Sequence, residues 1–586
     1  MKTLKFYLKP KLGKMAVCFF VKFLGTVAEL LLPYLLTYIL EEITPKNDVN
    51  EVFLWGGVMV FCAVCAMVFN ILANRMSTRI SREVTRALRK DLFVKVMYLS
   101  SSQVDKYTMP SILTRLTSDT YYVHQMVDRM QRLGVRAPIL LLGGIALTFL
   151  LDPVLTLVLI ALLPVLAFIS IYISQKGVPL YDATQRSQDE MVRKVRENMT
   201  GVRVIKALSK TDYEKERFTE INAELMKRDQ KANLLMAKSG PLLSFVLYLG
   251  LTIVVFVGAF RVEYGVMTPE KIVPFLSYFV LILNAIIMVT RIFTLYTKGA
   301  ASAKRIEEVM IAPKDMLLIN DTEIKNDFRL KFENVSFSYN KKRNDIENIS
   351  FELKKGDTLG IIGGTGSGKT TLISLMLRLY DADSGSITVD GRDIRSIPAG
   401  ELHRKFGVVF QNDFVYADTI KENILLGRHI SETDVASATK TAQADIILAG
   451  KEGGLEHKLT GAGANLSGGQ KQRLLISRAL AGNPEILILD DSSSALDYKT
   501  DANLRKALRS NYGDTTTVIV AQRISSIQYA DLIIMLDGGK VIGMGTHEQL
   551  LASCEQYKDI YQVQMGAEEL SVSYTHLRAH ETEADL

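Results

Sequence analysis

The stretch DTLGIIGGTGSGKTTLISLMLRLY, residues 357–380, joins a short apolar run, a glycine-rich turn and a second apolar run. The first seven residues predict a strand, and LISLMLRLY predicts a helix. Between them GGTGSGKTT, residues 363–371, has the spacing G-x-x-x-x-G-K-T. Glycines let backbone N–H groups approach phosphate oxygens, and the helix start adds its positive dipole end. The stretch therefore predicts an α/β domain with a phosphate-binding loop.

This loop carries its own binding chemistry. We expect Lys369 to reach the outer phosphates of a nucleotide, and the Thr370 hydroxyl to coordinate Mg²⁺. A purely structural glycine turn would hardly need Lys-Thr after it. The residues expected to bind the nucleotide here are Gly363, Gly364, Thr365, Gly366, Ser367, Gly368, Lys369, Thr370 and Thr371.

Two further motifs follow in the same half of the chain. In ILILDDSSSALD, residues 486–497, the run ILIL predicts a buried parallel strand, with Asp490 and Asp491 at its end. Asp490 suits a magnesium ligand, and Asp491 is placed to polarise an attacking water. Upstream, LSGGQ opens the predicted helix KQRLLISRALAG, where small residues at a helix start form a second phosphate-binding surface. Since the chain already has one phosphate loop, this second surface most naturally serves a nucleotide held by another subunit. Its residues are Leu466, Ser467, Gly468, Gly469 and Gln470.

The N-terminal half has the composition of a membrane protein. Of 586 residues 48% are hydrophobic and 23% are charged, a mixture typical of a membrane portion joined to a soluble one. The net charge of +7 is clustered beside apolar runs, which favours membrane orientation over a nucleic-acid partner. A membrane-spanning helix needs about 20 mostly apolar residues. Six runs qualify, at residues 15–40, 53–73, 133–151, 154–173, 242–260 and 272–290.

The connections between these runs indicate their orientation. The long connections, residues 74–132 and 174–241, are rich in Lys and Arg, whereas the short loop EEITPKNDVN is acidic. The positive-inside tendency places the N-terminus and both long connections in the cytoplasm, as in a multi-pass protein of a plasma (inner) membrane. Few breakers interrupt these connections, so they are expected to be helices that continue the spans. The breaks SSSQVDKYTMPS and ENMTGVRV are expected to form the turns at their tips.

Polar residues inside the runs have structural and functional interpretations. Lys22 and Glu29 lie seven residues apart on one face of the first span, and intramembrane charges usually face a cavity or one another. A structural ion pair, or a position of Lys22 closer to the membrane interface, is favoured, with substrate contact left open. Cys62 and Cys65 form a C-x-x-C without a polar turn or a second pair, which favours helix packing over metal or redox chemistry.

With phosphate loop, LSGGQ and acidic strand in this order, the chain resembles an ATP-binding cassette (ABC) transporter over about residues 1–565. Its six spans and two long connections resemble a half-transporter of the type IV exporter class. The resemblance implies an all-α six-helix transmembrane domain at 1–310, a linker at 311–327 and an α/β ABC ATPase domain at 328–566. It also implies ATP and Mg²⁺ as cofactors, and a lipid bilayer and a small transported molecule as partners.

The resemblance implies further site residues. Tyr339 in VSFSY matches the aromatic residue that stacks on adenine, and Gln411 in VVFQN matches the glutamine that contacts Mg²⁺ and senses the membrane domain. Asp497 in SSSALD matches the D-loop aspartate. The magnesium ligands would then be Thr370, Gln411 and Asp490.

The sequence departs from the family pattern at three positions, and the first two departures weaken this chain's own site. Asp491 stands where the family carries a catalytic glutamate, and Gln522 in IVAQRISSI stands where it carries a switch histidine. Gly461 replaces the glutamate usual shortly before LSGGQ. Aspartate is one methylene shorter, and glutamine cannot take a positive charge, while phosphoryl transfer depends on positioning and electrostatics. The pattern resembles the degenerate subunit of heterodimeric exporters, whose partner would carry the intact Glu and His.

The motifs do not identify the transported substrate. An amphipathic drug or lipid-like molecule is the family default, and a peptide is an alternative. Two other readings stay open: a slow homodimeric exporter, and an ATP-gated channel or regulator without turnover.

Residues 571–586 have no place in the expected domain. VSYTHLRAHET, residues 572–582, resembles a translated sequencing adaptor, which predicts an assembly artefact that cuts off the natural C-terminus near Leu570; a disordered tail is the alternative. His576 and His580 are therefore not interpreted as metal ligands, although their spacing of four residues is suggestive.

Overall fold

The computed structural model describes two compact units. The first is Met1–Tyr98 with Thr108–Ala312, and the second is Leu99–Tyr107 with Pro313–Leu586. The tail expected at 571–586 lies outside the described residues, and the domain limits expected from the sequence stay predictions. The residues described are 2–46, 48–313, 316–321, 323–324, 326–445, 450, 452–492 and 496–564.

Long helices form the first unit. Six helical segments in the described residues are long and apolar enough to cross a membrane, which confirms the six predicted spans. The helices are α1 Lys2–Leu8, α2 Leu12–Tyr38, α3 Val49–Met97, α4 Ser101–Tyr107 (assigned to the second unit), α5 Met109–Thr114, α6 Thr120–Leu151, α7 Pro153–Thr200, α8 Val202–Ala207, α9 Thr211–Ala237, α10 Ser239–Glu263 and α11 Ile272–Met310.

Several of these helices are longer than a bilayer requires. Helix α3 has 49 residues, which at a rise of 1.5 Å per residue is roughly 70 Å, against a hydrocarbon thickness of about 30 Å. The long connections therefore do continue the spans as helices. The two predicted breaks contain the short helices α4 and α8, preceded by the turn at Tyr98–Ser100 and by Gly201, respectively.

The spans pack through small residues and apolar side chains. At Gly299 on α11, an added Cβ would lie 2.4 Å from Cβ of Met126 on α6, so a larger residue would push the two helices apart. Phe275, Phe279 and Ile282 of α11 are buried among residues of α7 and α10. Since lipid tails are as apolar as these side chains, close packing of this kind stabilises helix pairs in a membrane.

The two charges of the first span have partners on other helices rather than each other. Lys22 Nζ donates hydrogen bonds to Oδ1 of Asn70 at 2.7 Å and of Asn74 at 3.3 Å. Arg136 Nη2 donates to Glu29 Oε1 at 2.5 Å. Both charges thus connect α2 to neighbouring helices, and the ion pair that the spacing suggested is formed by a different cation.

Two sheets and surrounding helices form the second unit. A four-stranded antiparallel sheet has the order β2-β1-β4-β5, and a six-stranded sheet has the order β10-β9-β3-β8-β7-β6, parallel except for its edge pair β10-β9. The strands are β1 Leu330–Phe337, β2 Ile346–Leu353, β3 Thr358–Gly363, β4 Ser384–Val389, β5 Arg392–Asp393, β6 Phe406–Val409, β7 Ile486–Asp490, β8 Thr516–Val520, β9 Leu532–Asp537 and β10 Lys540–Gly545. The helices are α12 Lys369–Met376, α13 Ala399–Arg404, α14 Ile420–Leu425, α15 Glu432–Thr441, α16 Gly468–Leu480, α17 Tyr498–Asn511 and α18 His547–Ser553.

The structure corrects two details of the sequence interpretation. Strand β2, which the sequence interpretation did not include, lies before the strand of the phosphate loop and pairs antiparallel with β1. The helix after the phosphate loop ends at Met376, not Tyr380, since Arg378 has a left-handed backbone with φ of 49°.

Asp152 organises the tight turn between α6 and α7. Its Oδ1 accepts hydrogen bonds from the backbone N–H groups of Val154 and Leu155, both at 2.9 Å, and its Oδ2 accepts from Arg261 Nε at 2.8 Å. The Asp152 side chain is therefore both the N-cap of α7 and the partner of a cation on α10.

We expect Asp152→Ala to lower the thermal stability of the purified protein in detergent. Loss of an N-cap costs about 0.5–2 kcal/mol, and the substitution also leaves Arg261 without its partner. Asp152→Asn is the matched control, because its side-chain oxygen can still cap the helix. Equal melting temperatures for Asp152→Ala and the wild type would contradict this role.

Candidate functional site

The chemical groups converge at one edge of the six-stranded sheet. Strand β3 ends at Gly363 before the phosphate loop, β7 ends at Asp490, and β8 ends shortly before Gln522. Because these strands are parallel, their carboxyl ends meet at the same edge, where ligands of open α/β sheets bind. A cavity of 440 Å³ lies there, lined by Arg343, Asn344, Asp345, Thr365, Gly366, Gly368, Lys369, Thr370, Thr371, Gln411, Asp490, Asp491, Val520, Ala521, Gln522 and Gly538.

The phosphate loop has the geometry of an anion site. Helix α12 begins at Lys369, directly after Gly368, whose φ of 103° favours glycine. Lys369 Nζ donates to the carbonyl oxygens of Gly363 at 2.8 Å and Gly364 at 2.7 Å. Burial lowers the pKa of Lys369, and the negative charges of Asp490 and Asp491 oppose that shift. The ammonium group is thus held inside the loop, at the mouth of the cavity.

Asp490 fits a metal ligand. Its side chain is buried, and its Oδ2 has no hydrogen-bond partner among the described residues. Burial raises its pKa, with the Asp491 charge as a second cause. A buried carboxylate oxygen without a partner calls for a cation, and Thr370 and Gln411 add hydroxyl and amide oxygens in the same cavity. Oxygen ligands with few carboxylates suit Mg²⁺, which binds through substrate phosphates as well.

Two amides hold Asp491. Gln522 Nε2 donates to Asp491 Oδ2 at 3.1 Å, and Gln411 Nε2 donates to the same oxygen at 3.4 Å. The backbone N–H of Asp491 donates to Val520 O at 2.9 Å, and its φ is 49°. A water approaching this oxygen would have to compete with both glutamines.

The LSGGQ segment forms a separate helix start. Ser467 caps α16: its Oγ accepts from Gln470 N–H at 3.3 Å, and Gln470 Oε1 accepts from Ser467 N–H at 3.0 Å. Ser467 and Gly468 are exposed, and the residues that line the cavity at the phosphate loop include none from 466–470. Gly461 lies in a short 3₁₀ turn before this segment.

Two other expected site residues have local contacts of their own. Tyr339 is 46% exposed and makes edge-to-face contacts with Phe337 and Tyr380. It does not line the cavity, but its backbone N–H donates to Asp345, which does. Asp497 caps α17, with its two oxygens accepting from the N–H and hydroxyl of Thr500 at 2.8 Å.

The comparisons with known proteins agree with this arrangement of a membrane-spanning unit and a nucleotide-site unit. Residues 15–286 match the ABC transporter transmembrane region, and residues 346–494 match the ABC transporter family. The uncharacterized ABC transporter ATP-binding protein YfiB of Bacillus subtilis (strain 168) is 33% identical over 564 residues, 96% of this chain and 98% of that protein. An uncharacterized ABC transporter ATP-binding protein of Mycobacterium tuberculosis is 31% identical over 95% of this chain and 97% of its own length.

The fold also matches a solved structure. A bacterial Atm1-family ABC exporter with ATP bound superposes with a TM-score of 0.79 at 22% identity, over 95% of this chain and 98% of that one. The fold and the site thus define the chain as a membrane protein that carries a P-loop ATPase domain in the same polypeptide. The chain belongs to the ABC transporter family and is an ATP-hydrolysing transporter.

Sequence reasoning missed Arg478, which connects the LSGGQ helix to the segment after Gln411. Its guanidinium donates to Asn423 O at 2.8 Å, Phe414 O at 3.0 Å and Asp413 Oδ1 at 3.4 Å. Burial lowers its pKa, and Asp413 opposes that shift. An arginine on the otherwise apolar face of α16, four residues after Leu474, was the available signal.

We expect Arg478→Lys to lower both thermal stability and ATP turnover. Lysine has one ammonium group and cannot reproduce the fork of donors that reaches these acceptors. The decisive measurement is ATPase activity at a temperature where the variant is fully folded. Arg428→Lys is the control, because Arg428 lies next to the same helix and its hydrogen bonds within the described residues all go to carbonyl oxygens. Unchanged turnover in folded Arg478→Lys would show that the residue serves stability alone.

Proposed function

We propose that this chain is one half of a heterodimeric ABC exporter of amphipathic small molecules. Its own site binds ATP and Mg²⁺ but hydrolyses slowly, and its LSGGQ segment completes the fast site on the partner's phosphate loop. The observation that carries this proposal is the pair of glutamine amides that donate hydrogen bonds to Asp491 Oδ2. A short carboxylate engaged by two glutamine amides is poorly placed to align an attacking water.

The residues proposed to bind ATP and Mg²⁺ are present in the sequence, and Thr370, Gln411 and Asp490 line the same cavity as Lys369, which supports an intact binding half. Lys369 and the loop amides would hold the phosphates, and Thr370, Gln411 and Asp490 would hold Mg²⁺, which stabilises charge on the transferred phosphate. Tyr339 would stack on the adenine. These roles need no base, so they are compatible with tight ATP binding and slow turnover.

The exposed LSGGQ helix start supports a two-chain site. Ser467 and Gly468 are exposed and do not line the chain's own phosphate cavity, yet a helix start with a glycine pair is suited to phosphate. A second half-transporter, with the catalytic Glu and switch His, would bring its nucleotide to this surface. Asp497 would lie at the same junction.

Helix α4 supports transmission of nucleotide state to the membrane helices. Tyr380 Oη donates to Asp105 Oδ2 at 2.5 Å, and Gln103 Nε2 donates to Pro313 O at 2.6 Å. Burial and the Asp105 carboxylate raise the pKa of Tyr380, so its hydroxyl stays a donor. Closure of two ATPase domains around ATP would then pull on this helix and alternate the access of the substrate path.

One experiment separates the two proposed roles of this subunit, which are to bind ATP at its own site and to complete the partner's site. In the co-purified pair, Gly469→Asp places bulk and negative charge against the partner's phosphates and is expected to reduce total ATP turnover by about 10²–10³ or more. Asp491→Asn alters a site that is already slow, so its effect should stay within about a few-fold, because the partner's site carries the flux. Turnover is measured at saturating Mg-ATP.

The reverse pattern, in which Asp491→Asn abolishes turnover and Gly469→Asp leaves it intact, would show that the fast and slow sites are assigned the wrong way round. Equal loss of turnover in both variants would support two equivalent or strictly coupled sites. Passive substrate flux that ATP merely gates, in place of ATP-driven uptake by inside-out vesicles, would support the channel.

The proposed orientation places the N-terminus, the ATPase domain and both long connections in the cytoplasm of a cell bounded by this membrane. Cysteines introduced at Ser101 and Thr200 should resist an impermeant thiol reagent applied to intact cells, while one at Asn47 should react, because the Lys/Arg bias sets the topology. The wild type, with its four native cysteines, gives the background. External labelling at Ser101 or Thr200 would overturn this orientation.

A further inference from the structure

A second cavity lies in the membrane unit, beside the first helices of the chain. Its volume is 570 Å³, within the range of small-molecule sites. It extends from α1 along the first two turns of α2 and is bordered by α6 and α11. Nearly all of its lining is apolar. The lining residues are Leu4, Lys5, Leu8, Leu12, Met15, Ala16, Phe19, Met126, Val127, Met130, Gln131, Val135 and Tyr296.

Gln131 gives this apolar cavity one unmet hydrogen-bond acceptor. The residue is only 8% exposed, and its Nε2 donates to Val127 O at 3.0 Å. Its Oε1 is buried and has no hydrogen-bond partner among the described residues. An unpaired buried acceptor is costly, so an occupant that donates a hydrogen bond would be stabilised here.

Lys5 gives the cavity a positive charge. Within the part of the chain that the structure describes, Lys5 forms no ion pair, whereas Lys11 pairs with Glu83 at 2.5 Å. Five lysines occur in the first fourteen residues, and Phe6 and Leu12 are exposed beside them. Basic helices with exposed apolar residues favour the membrane–water boundary, where they attract acidic lipids.

We propose that this cavity binds an acidic lysophospholipid of the surrounding leaflet as a resident ligand. One acyl chain would fill the apolar lining, the glycerol hydroxyl would donate to Gln131 Oε1, and the phosphate would pair with Lys5. A neutral hydrocarbon leaves both polar groups unmet, and a diacyl glycerophospholipid has an ester acceptor where the lysolipid has its hydroxyl. The site is independent of the nucleotide chemistry and of the heterodimer proposed above.

The test is equilibrium binding of radiolabelled lysophosphatidic acid to the purified full chain in neutral detergent micelles. We expect saturable binding of one lipid per chain. Lysophosphatidylcholine, which keeps the hydroxyl but is neutral overall, and the 2-deoxy analogue, which keeps the charge but lacks the hydroxyl, should each bind about tenfold more weakly, the scale of one lost polar interaction. Equal binding of all three lipids would overturn the proposal.

Three variants assign the two contacts. Gln131→Leu should abolish discrimination between lysophosphatidic acid and the 2-deoxy analogue, without lowering the melting temperature of the lipid-free protein, because it removes an unmet acceptor. Lys5→Gln should abolish discrimination between acidic and neutral lysolipids. Lys9→Gln, an equal loss of charge outside the cavity lining, should preserve both preferences. Discrimination that survives in Gln131→Leu and Lys5→Gln would place the lipid elsewhere.

A cavity-filling variant distinguishes other occupants. Ala16→Trp should prevent lipid binding while the melting temperature reports that the chain is folded. If Ala16→Trp instead changes the oligomeric mass and leaves lipid binding intact, a second chain covers the cavity and the proposal fails. ATP-dependent transfer of lysophosphatidic acid across vesicles would make it cargo, which would contradict a resident ligand.

Discussion

Parallel pairing of β3, β7 and β8 is the constraint on which the nucleotide site depends. Backbone hydrogen bonds continue past the strand ends, from Asp491 N–H to Val520 O at 2.9 Å and from Ala521 N–H to Ile361 O at 3.1 Å. They fix where the phosphate loop, the two aspartates and Gln522 emerge. Since β7 is buried along its whole length, a shift in its register would move Asp490 out of the cavity and force its buried neighbours to repack.

The lipid bilayer imposes a second constraint, which acts on the membrane unit. Backbone groups must be paired within each helix, and side-chain charges must find partners. Glu29 with Arg136 and Lys22 with Asn70 meet the second requirement across helices. These contacts tie α2 to both α3 and α6, so the first span is positioned by polar groups as well as by packing.

The features that could be predicted from the sequence are those that a single short stretch of residues defines. Six apolar runs, the phosphate loop and the strand before Asp490 each carry a pattern that one stretch of chain suffices to define. Strand β2 was missed because its pairing with β1 is not visible in IENISFEL alone, and the helix after the loop was drawn too long because Arg378 carries no residue signal for its left-handed backbone. Arg478, Gln131 and the partners of Glu29 depend on side chains distant in sequence. Only the three-dimensional structure brings them together.

The backbone at Asp491 bears on how an asymmetric transporter could arise. With φ of 49°, this position suits aspartate or asparagine better than glutamate, because a short polar side chain tolerates the left-handed region. A glutamate there would serve catalysis at the expense of the local fold, as strained positions at active sites commonly do. In the heterodimer proposed above, an exchange of glutamate for aspartate at this position would relieve local backbone strain, and the return mutation would carry a stability cost. One subunit would then lose its catalytic glutamate more easily than it could regain it.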